Sequence, residues 1–399
     1  MTPQAATPLR RNRWPGSLFC GAGAALEAAA ELRRLGAARP AVLLDPNVNG
    51  SEAVGELRGS LRAAGFEAAE MAAPAAEPAM GDVLPYAGFL RDGGHDAVIA
   101  VGGGSCLDVA KLAAVLAVHE GRVQDFAGID RVPGKGLPLI AVPTTAGTGS
   151  ESTAVAIFAD DETSVKQGVV SEHLRPDVAL VDPVLTLSCP PTATAAAGID
   201  AFIHCVESFL SRNATAVSRP LARDGIRLAA RWLVAAVENG GDLEARTGMA
   251  EASMLGGLAF GISGVAAVHA LSLPIGGLYH VPHGIANALL LPYVMEYNLD
   301  AARDDLAEIA AMMGEPVDGV EHRRAAELAV LAIRRLVVES GGPATFADVG
   351  VPEDALPELV AGAVGQTRLL GANPRALDAP EIEAIYRNAV RGELEIVSE

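Results

Sequence analysis

The most constraining feature of the 399-residue sequence is a set of four short runs that are apolar at successive rather than alternate positions. They are PAVLLD at 40–45, DAVIAV at 96–101, LPLIAV at 137–142 and DVALVD at 177–182. Such runs are typical of parallel strands with helices packed on both faces. Helical patterns lie beside them, for example at 24–36 and 106–118. The sequence therefore predicts a doubly wound, Rossmann-like α/β unit.

The second half of the chain has a different pattern. From about residue 190 the strand signals stop, and most of the remaining sequence has helical periodicity, starting with PTATAAAGIDAFIHCVESFLSR. We predict an α/β domain over 1–187 and an all-α domain over 188–399. The boundary falls in the stretch VDPVLTLSCPP.

Charge and cysteine usage limit the class of protein. The formal net charge of −19 argues against nucleic acid or an anionic membrane as a partner, since both need a basic face. No unbroken apolar run is long enough to predict a transmembrane helix, and the N-terminal MTPQAATPLRRNRWPG is typical of a frayed tail rather than a signal peptide. The four cysteines form no CxxC pair, so we expect small buried residues in a reducing cytoplasm. They are Cys20, Cys106, Cys189 and Cys205.

A glycine loop comes directly after the second apolar run, in VGGGSCLDVAK at 101–111. Three glycines before a helix can let a phosphate approach the backbone and the positive helix end, with Ser105 capping the helix and Asp108 completing a capping box. A tight turn is the alternative, and the pattern leaves both open. The segment GAGAAL at 21–26 is closer to the usual dinucleotide fingerprint, but no clear strand precedes it, so we set it aside.

Two further polar positions lie at the ends of predicted strands. The loop PTTAGTGSEST at 143–153 offers hydroxyls that can hold a ribose or phosphate, although it can also be an ordinary loop. Asp45 ends an earlier strand, where a carboxylate accepts from a ribose 2′-hydroxyl and favours NAD over NADP. Its alternative role is to form a turn with Pro46 and Asn47.

Histidines and an aspartate form the candidate metal site. Asp200 and His204 are four residues apart, on one helical face with apolar neighbours, so they either hydrogen-bond each other or share a cation. His269 and His283 come from separate elements, because Pro274, Gly276, Gly277 and Pro282 break the helix between them. One carboxylate with three imidazoles suits Fe²⁺, Zn²⁺ or a similar ion, and with neutral rings it leaves the site positively charged. His280 is a weaker ligand candidate.

Taken together, these motifs resemble the iron-containing, group III metal-dependent alcohol dehydrogenase family over about residues 15–390. The stretches that carry the resemblance are VGGGSCLDVAK, PTTAGTGSE, RPDVALVDP, GIDAFIHCVES, HALSLPIGGLYHVPHGIANALLLPYV and NPR at 373–375. The resemblance implies a dehydroquinate synthase-like architecture, in which residues 1–187 are a dinucleotide-binding domain and residues 188–399 are a metal- and substrate-binding domain. It also implies NAD(P)-dependent interconversion of alcohols and aldehydes, with the substrate oxygen on a divalent metal, Fe²⁺ in particular, and NAD(H) rather than NADP(H).

The resemblance also implies roles for individual residues. The metal ligands would be Asp200, His204, His269 and His283. The cofactor contacts would be Asp45, Gly102, Gly103, Gly104, Ser105, Asp108, Thr144, Thr145, Thr148 and Lys166. Phe260 matches a substrate-pocket aromatic, and relatives suggest a homodimer or larger homo-oligomer with a small alcohol or aldehyde as substrate.

Two departures from the family pattern affect the catalytic residues. Leu273 stands where many members have a histidine thought to relay a proton, so proton transfer would use His280, a ribose hydroxyl or water. Before NPR, where members often have Asp-x-Cys, this chain has Thr367, Arg368 and Leu369. Arg368 could meet an anionic substrate tail, although a surface arginine is the simpler interpretation.

Three other functions remain as alternatives. A metal-independent maleylacetate reductase-like enzyme has this fold, but such enzymes lack the full set of one aspartate and three histidines. A dehydroquinate synthase-like lyase shares the architecture and uses NAD transiently. A metal- or nucleotide-binding sensor would need only the same binding residues.

Overall fold

A computed structural model describes residues 12–74, 78–159 and 166–397, so most of the expected N-terminal tail, residues 1–11, lies outside it. The strands are β1 Ser17–Cys20, β2 Pro40–Leu44, β3 Ala69–Ala72, β4 Ala97–Gly102, β5 Gly128–Ile129, β6 Leu139–Pro143, β7 Val155–Ala159, β8 Lys166–Val170 and β9 Val178–Val181. The first helices are α1 Ala28–Arg34, α2 Glu52–Ala63, α3 Leu84–Asp92, α4 Gly104–Leu116 and α5 Val123–Phe126. The later ones are α6 Pro191–Leu210, α7 Ser218–Glu238, α8 Leu243–Ser263, α9 Ala267–Tyr279, α10 His283–Asn298, α11 Arg303–Met312, α12 His322–Glu339, α13 Leu356–Val364, α14 Thr367–Leu370 and α15 Ala379–Arg391.

The main sheet is parallel, in the order β1-β9-β6-β4-β2-β3. Alternate residues of its central strands enter two different cores. In β4, Val98 and Ala100 pack with α3 and α4, whereas Ile99 and Val101 pack with α1 and α2. Both faces are therefore covered, which explains why the four predicted strands are continuously apolar. The doubly wound prediction is confirmed.

The start of the sheet corrects one prediction. Strand β1, Ser17–Cys20, directly precedes the glycine-rich segment at 21–26, although the sequence shows no clear strand there. The backbone N–H groups of Gly23 and Ala25 both donate to Oδ2 of Asp182, at 3.0 and 3.1 Å. A carboxylate of the chain itself thus fills the place that a phosphate would take, so the segment is structural.

A second, three-stranded sheet was not predicted. It has the order β5-β8-β7, with β7 and β8 antiparallel. Its strands are partly exposed, and the residues between β7 and β8 fall in the undescribed range 160–165.

The described residues after β9 form helices without strands, as predicted, around a third core. The central helix α6 is long and apolar enough to cross a membrane by length and composition, but 83% of its apolar window is buried inside the protein. Helices α8 and α9 pass that test only together, bent by 104°. A helix that is apolar on all sides is expected at the centre of such a bundle.

Helix α9 departs from the expected breaks. It runs from Ala267 to Tyr279 through Pro274, Gly276 and Gly277, and the chain leaves it only at His280. His269 and His283 therefore do lie on separate helices, α9 and α10, but the break is at 280–282 rather than at the proline. Packing of the surrounding helices overrides the local preference here.

Candidate metal and cofactor site

Three residues on one face of α6 form the base of the site. Asp200, His204 and Glu207 succeed one another at spacings of four and three residues, and all three side chains are nearly fully buried. The carboxylate of Asp200 lies 3.8 Å from Nε2 of His204, measured from Oδ2. Its other oxygen lies 3.7 Å from Nε2 of His269 on α9. The apolar helix thus brings a carboxylate and two imidazoles together away from water.

Acceptors behind the two buried rings orient them. Nδ1 of His204 lies 3.2 Å from the carbonyl oxygen of Gly147, and Nδ1 of His269 lies 2.6 Å from Oε2 of Glu207. Since both acceptors require a proton on Nδ1, each ring in its neutral form has an unprotonated Nε2 on the side that faces Asp200. The rings stack at a centroid distance of 4.9 Å.

The third histidine reaches the same carboxylate from the first turn of α10. Nε2 of His283 lies 3.9 Å from Oδ1 of Asp200, and the His283 side chain is 35% exposed. Asn287, one turn further along α10, donates from Nδ2 to Oδ1 of Asp200 at 2.8 Å and lies 3.1 Å from Nε2 of His283. We call these residues the Asp200 cluster: Asp200, His204, Glu207, His269, His283 and Asn287.

The Asp200 cluster fits a divalent cation. Ligand atoms of Asp200, His269 and His283 all lie within 4.8 Å of one another. His204 stands just outside that group, beside the second carboxylate oxygen. Nε2 of His269 is buried and has no hydrogen-bond partner among the described residues. A buried acceptor without a donor is unfavourable unless something else satisfies it, and a cation does so.

Burial and charge act in opposite directions on these groups. Burial lowers the pKa of His204, and it lowers the pKa of His283, against the attraction of Asp200. Burial also opposes protonation of His269, but the charge and hydrogen bond of Glu207 leave its pKa raised. Burial opposes ionisation of Asp200, yet the three imidazoles and Asn287 leave its pKa lowered. The carboxylate is therefore ready to bind a cation at neutral pH.

Different constraints explain the three glycines at 102–104. A Cβ on Gly102 would lie 2.6 Å from Cβ of Cys106, and one on Gly104 would lie 2.6 Å from Cγ2 of Thr148. These two positions are small because the protein packs against them. At Gly103 the nearest atom would be Oγ1 of Thr145 at 3.5 Å, an ordinary contact, and φ is −71°. Gly103 is thus the one glycine that neither packing nor backbone conformation explains, which fits close approach of a cofactor.

The start of α4 corrects the expected cap. The helix begins at Gly104 with Gly103 as N-cap and no side-chain cap bond, so Ser105 lies inside the first turn. Asp108 does not complete a capping box. Its Oδ1 accepts from Ser150 Oγ at 2.5 Å and its Oδ2 from the N–H of Ile157 at 2.9 Å. These bonds tie α4 to the loop after β6 and to strand β7, a structural task.

Lys111, one turn after Asp108 on α4, bonds to the same loop and strand. Its ammonium is fully buried and donates to Ser150 Oγ and the Val155 carbonyl, both at 2.6 Å, and to Asp108 and Thr153 at 3.3 Å. Burial lowers its pKa, while Asp108 opposes that change. We call Asp108, Lys111, Ser150 and Thr153 the Lys111 cluster.

The remaining cofactor candidates stand at the carboxyl ends of adjacent strands. Asp45 comes directly after β2, Gly102 ends β4 and Thr144 comes directly after β6, so the fold brings them to one edge. Asp45 forms the expected turn, because its Oδ1 accepts from the backbone and side chain of Asn47; neither bond uses Oδ2. Thr144 is buried, whereas Thr145 and Thr148 are partly exposed. Lys166 starts β8, with its ammonium 3.8 Å from where a Cβ on Gly276 would lie.

The proposed catalytic residues divide into two groups. The ring of Phe260 stacks on His204 at 4.4 Å, so it lies at the Asp200 cluster. His280 is exposed at the C-cap of α9, in a left-handed conformation with φ of 54°. Arg368 is exposed on α14 and forms no ion pair with the described residues, and partial desolvation lowers its pKa. The roles of His280 and Arg368 stay predictions.

Comparison with known proteins decides the family. A model of the C-terminal part of Fe-containing alcohol dehydrogenases matches residues 194–390, and an iron-containing alcohol dehydrogenase model matches residues 15–183. The chain belongs to the iron-containing alcohol dehydrogenase family. It is therefore an oxidoreductase of the alcohol dehydrogenase type, as the sequence predicted, and membership supports a metal and a nicotinamide cofactor.

Individual relatives agree over nearly the whole length. Long-chain-alcohol dehydrogenase 1 of Geobacillus thermodenitrificans is 43% identical, with 95% of this chain and 96% of the relative aligned. The NAD-dependent methanol dehydrogenase of Bacillus methanolicus is 35% identical, covering 94% and 98%. A crystal structure of a 1,3-propanediol oxidoreductase superimposes with a TM-score of 0.92 at 37% identity, covering 96% and 100%.

Sequence reasoning missed three contributors. Glu207 and Asn287 were overlooked, although helical spacing points to both: Glu207 is three residues after His204, and Asn287 four after His283. The carbonyl of Gly147 had no sequence signal, because any residue has a carbonyl.

Cys20 is exposed rather than buried, and Cys189 is partly exposed, so the cysteine prediction holds only for Cys106 and Cys205.

Proposed function

We propose that the chain is an NAD-dependent dehydrogenase of primary alcohols, working also as an aldehyde reductase, with Fe²⁺ held by Asp200, His204, His269 and His283. The observation that carries the proposal is the convergence of three imidazole nitrogens on the carboxylate of Asp200, at 3.7 to 3.9 Å. When bound, the cation polarises an alcohol or carbonyl oxygen, and the nicotinamide ring accepts or donates the hydride.

The chain's own residues do the remaining work. Asp200 supplies the anionic charge that retains a cation, and the rings of His204 and His269 are pre-oriented by acceptors at their Nδ1 atoms. Phe260 covers His204 and excludes water from that side of the site. Asp45, at the end of β2, supports NAD over NADP, because it would repel a 2′-phosphate. His280, a ribose hydroxyl or water carries the proton.

Further parts of the proposal concern organisation. Residues 1–187 bind the nucleotide, and residues 188–399 hold the metal and substrate. The enzyme is cytoplasmic and forms a homodimer or larger homo-oligomer, with no nucleic acid or membrane partner. The net charge of −19 supports the absence of nucleic acid and membrane partners. Light scattering after size-exclusion chromatography measures the oligomeric state.

A substrate screen tests the function. The purified chain, loaded with Fe²⁺ or Zn²⁺ or freed of metal, is mixed with NADH and panels of aldehydes and unsaturated keto acids, and the NADH absorbance is recorded. We expect aldehyde-dependent oxidation of NADH only with metal. Turnover of keto acids without metal would indicate a maleylacetate reductase-like enzyme. No net change with any substrate would indicate a lyase or a sensor.

The variant H204A provides the matched control. It is expected to lose metal retention and turnover while NADH binding, measured by fluorescence, survives. Undiminished turnover of the wild type in metal-free buffer would sink the proposed mechanism.

A further inference from the structure

We propose that Glu207 is the positioning residue that fixes His269 for metal binding and balances the charge of the site. The inference rests on the proposed function, because it concerns the same cation. Glu207 is not among the expected ligands, and its carboxylate stands behind His269 rather than beside Asp200.

Hydrogen bonds to both oxygens fix the orientation of the Glu207 carboxylate. Its side chain is 1% exposed, and both carboxylate oxygens are occupied. Oε2 accepts from Nδ1 of His269 at 2.6 Å and from the N–H of Ala266 at 2.8 Å. Oε1 accepts from the N–H of Val268 at 2.6 Å. Each oxygen receives a backbone N–H donor that cannot reverse its role, so the carboxylate acts only as an acceptor.

The tautomer of His269 is a result of this arrangement. Because the carboxylate can only accept, a neutral His269 ring must carry its proton on Nδ1 and keep its lone pair on Nε2. That lone pair is buried, has no partner among the described residues and stands 3.7 Å from Oδ1 of Asp200. An unprotonated nitrogen is required for metal ligation, so the protein holds His269 ready for a cation.

Glu207 also changes the charge of the site. The sequence-based ligand set of one carboxylate and three neutral imidazoles would leave a divalent cation with one uncompensated positive charge. With the carboxylate of Glu207 hydrogen-bonded to a ligand ring, cation and carboxylates sum to zero. Burial of a neutral group is far less unfavourable than burial of a charged one, which accounts for a second acid in an apolar helix.

A structural role for Glu207 is the competing explanation, since it also bonds the first N–H groups of α9. The isosteric variant E207Q separates the two. The glutamine amide has two orientations. If its oxygen faces the N–H of Val268, its nitrogen faces Nδ1 of His269, and the ring must move its proton to Nε2. If its oxygen faces His269 instead, its nitrogen faces the N–H of Val268, and two donors meet. S208A is the matched control, because Ser208 is the next buried residue of α6 and its hydroxyl has no partner among the described residues.

The first measurement needs no variant. In the metal-free full-length wild type labelled with ¹⁵N-histidine, and with His269 assigned by its absence in H269N, NMR at a pH where the His269 ring is neutral is expected to show a proton on Nδ1 only. The second measurement is Zn²⁺ affinity by competition with a chelator at fixed pH. E207Q is expected to bind about 10- to 100-fold more weakly, as for other residues that hydrogen-bond to metal ligands, whereas S208A keeps the wild-type affinity.

The outcomes are distinct. A neutral wild-type His269 ring with its proton on Nε2, or an E207Q variant that binds Zn²⁺ as tightly as wild type, overturns this inference and leaves the proposed function standing. A folded wild type that takes up neither Zn²⁺ nor Fe²⁺ counts against both. If E207Q does not fold, the wild-type spectrum still decides.

Discussion

The Asp200 cluster and the Lys111 cluster are both buried and charged, but they differ in whether the protein satisfies them. The ammonium of Lys111 has four oxygens within 3.3 Å for its three N–H groups, and Asp108 uses both carboxylate oxygens. In the Asp200 cluster, Nε2 of His269 and Oδ1 of Asn287 are buried without a partner among the described residues. A closed network stabilises the fold, whereas an unpartnered imidazole nitrogen beside a carboxylate and two further imidazoles marks a place prepared for a cation.

The largest expected effect comes from removing the charge of the Asp200 cluster. D200N preserves the volume, but an amide binds a divalent cation poorly beside three imidazoles. We expect metal content to be lost and kcat to fall about 1,000-fold, equivalent to about 4 kcal/mol of barrier. Metal analysis and steady-state kinetics measure this. If D200N keeps activity within tenfold of wild type, the Asp200 cluster is not the ligand site that distinguishes it from the Lys111 cluster.

Removing the charge of the Lys111 cluster should affect stability instead. K111M leaves the carboxylate of Asp108 without its cation, and breaking a buried pair in this way destabilises by about 3–5 kcal/mol. Urea unfolding measures it. The control K135M removes an ammonium that pairs with Asp177 on a side chain that is 40% exposed, so a change of at most about 1 kcal/mol is expected. Loss of metal from folded K111M would show that the clusters are not independent.

Glu151, beside the Lys111 cluster, gives a pH test. Burial raises its pKa from 4.5 to about 7. Between pH 4.5 and pH 7 the carboxyl group is therefore protonated in the folded state but ionised in the unfolded state. Wild-type stability should therefore fall as pH rises through this window, by about 3 kcal/mol. E151Q should match wild type near pH 4.5 and exceed it above pH 7.

A control with the opposite sign is available for Glu151. The hydrogen bond and charge of Arg58 lower the pKa of Glu70, so its contribution is present above pH 4.5 and is lost as pH falls further. E70Q should thus reduce stability at neutral pH and match wild type in acid. Unfolding curves of E151Q that keep the wild-type pH slope would contradict the assignment of that slope to Glu151.

The smallest expected effect sharpens the comparison at the glycine loop. A methyl group at Gly103 meets only an ordinary contact with Thr145, so G103A should fold normally while weakening NADH binding about tenfold, or 1.4 kcal/mol. G102A would meet Cys106 and should lower stability by about 1–3 kcal/mol instead. Fluorescence titration and urea unfolding measure the two effects. Equal NADH affinity in G103A and wild type would place the cofactor elsewhere.

The sequence predicted the elements that depend on burial on both faces. Strands β2, β4, β6 and β9 stand out because helices cover them completely. Strand β1 was missed, since it is a short edge strand with partial exposure, and so were β7 and β8 of the small sheet. The N-cap of α4 was misplaced by two positions, at Ser105 instead of Gly103, because a glycine N-cap leaves no side-chain signature.

The ligand residues were predictable for a different reason. Asp200 and His204 share a helical face, and buried imidazoles in this number are difficult to explain without a cation. The orientation of the rings could not be predicted. That depends on Glu207, which the sequence does show, and on the Gly147 carbonyl, which only the fold places beside α6.

The bond from His204 to the carbonyl of Gly147 has a consequence for building hybrids of this enzyme. A chimera joined at 187/188 would take the histidine from one parent and the backbone that orients it from another. Gly147 also lies against Ala197, too close for any larger side chain. Exchange of whole halves between relatives should therefore succeed only when the loop at 143–153 is transferred together with the helices it touches.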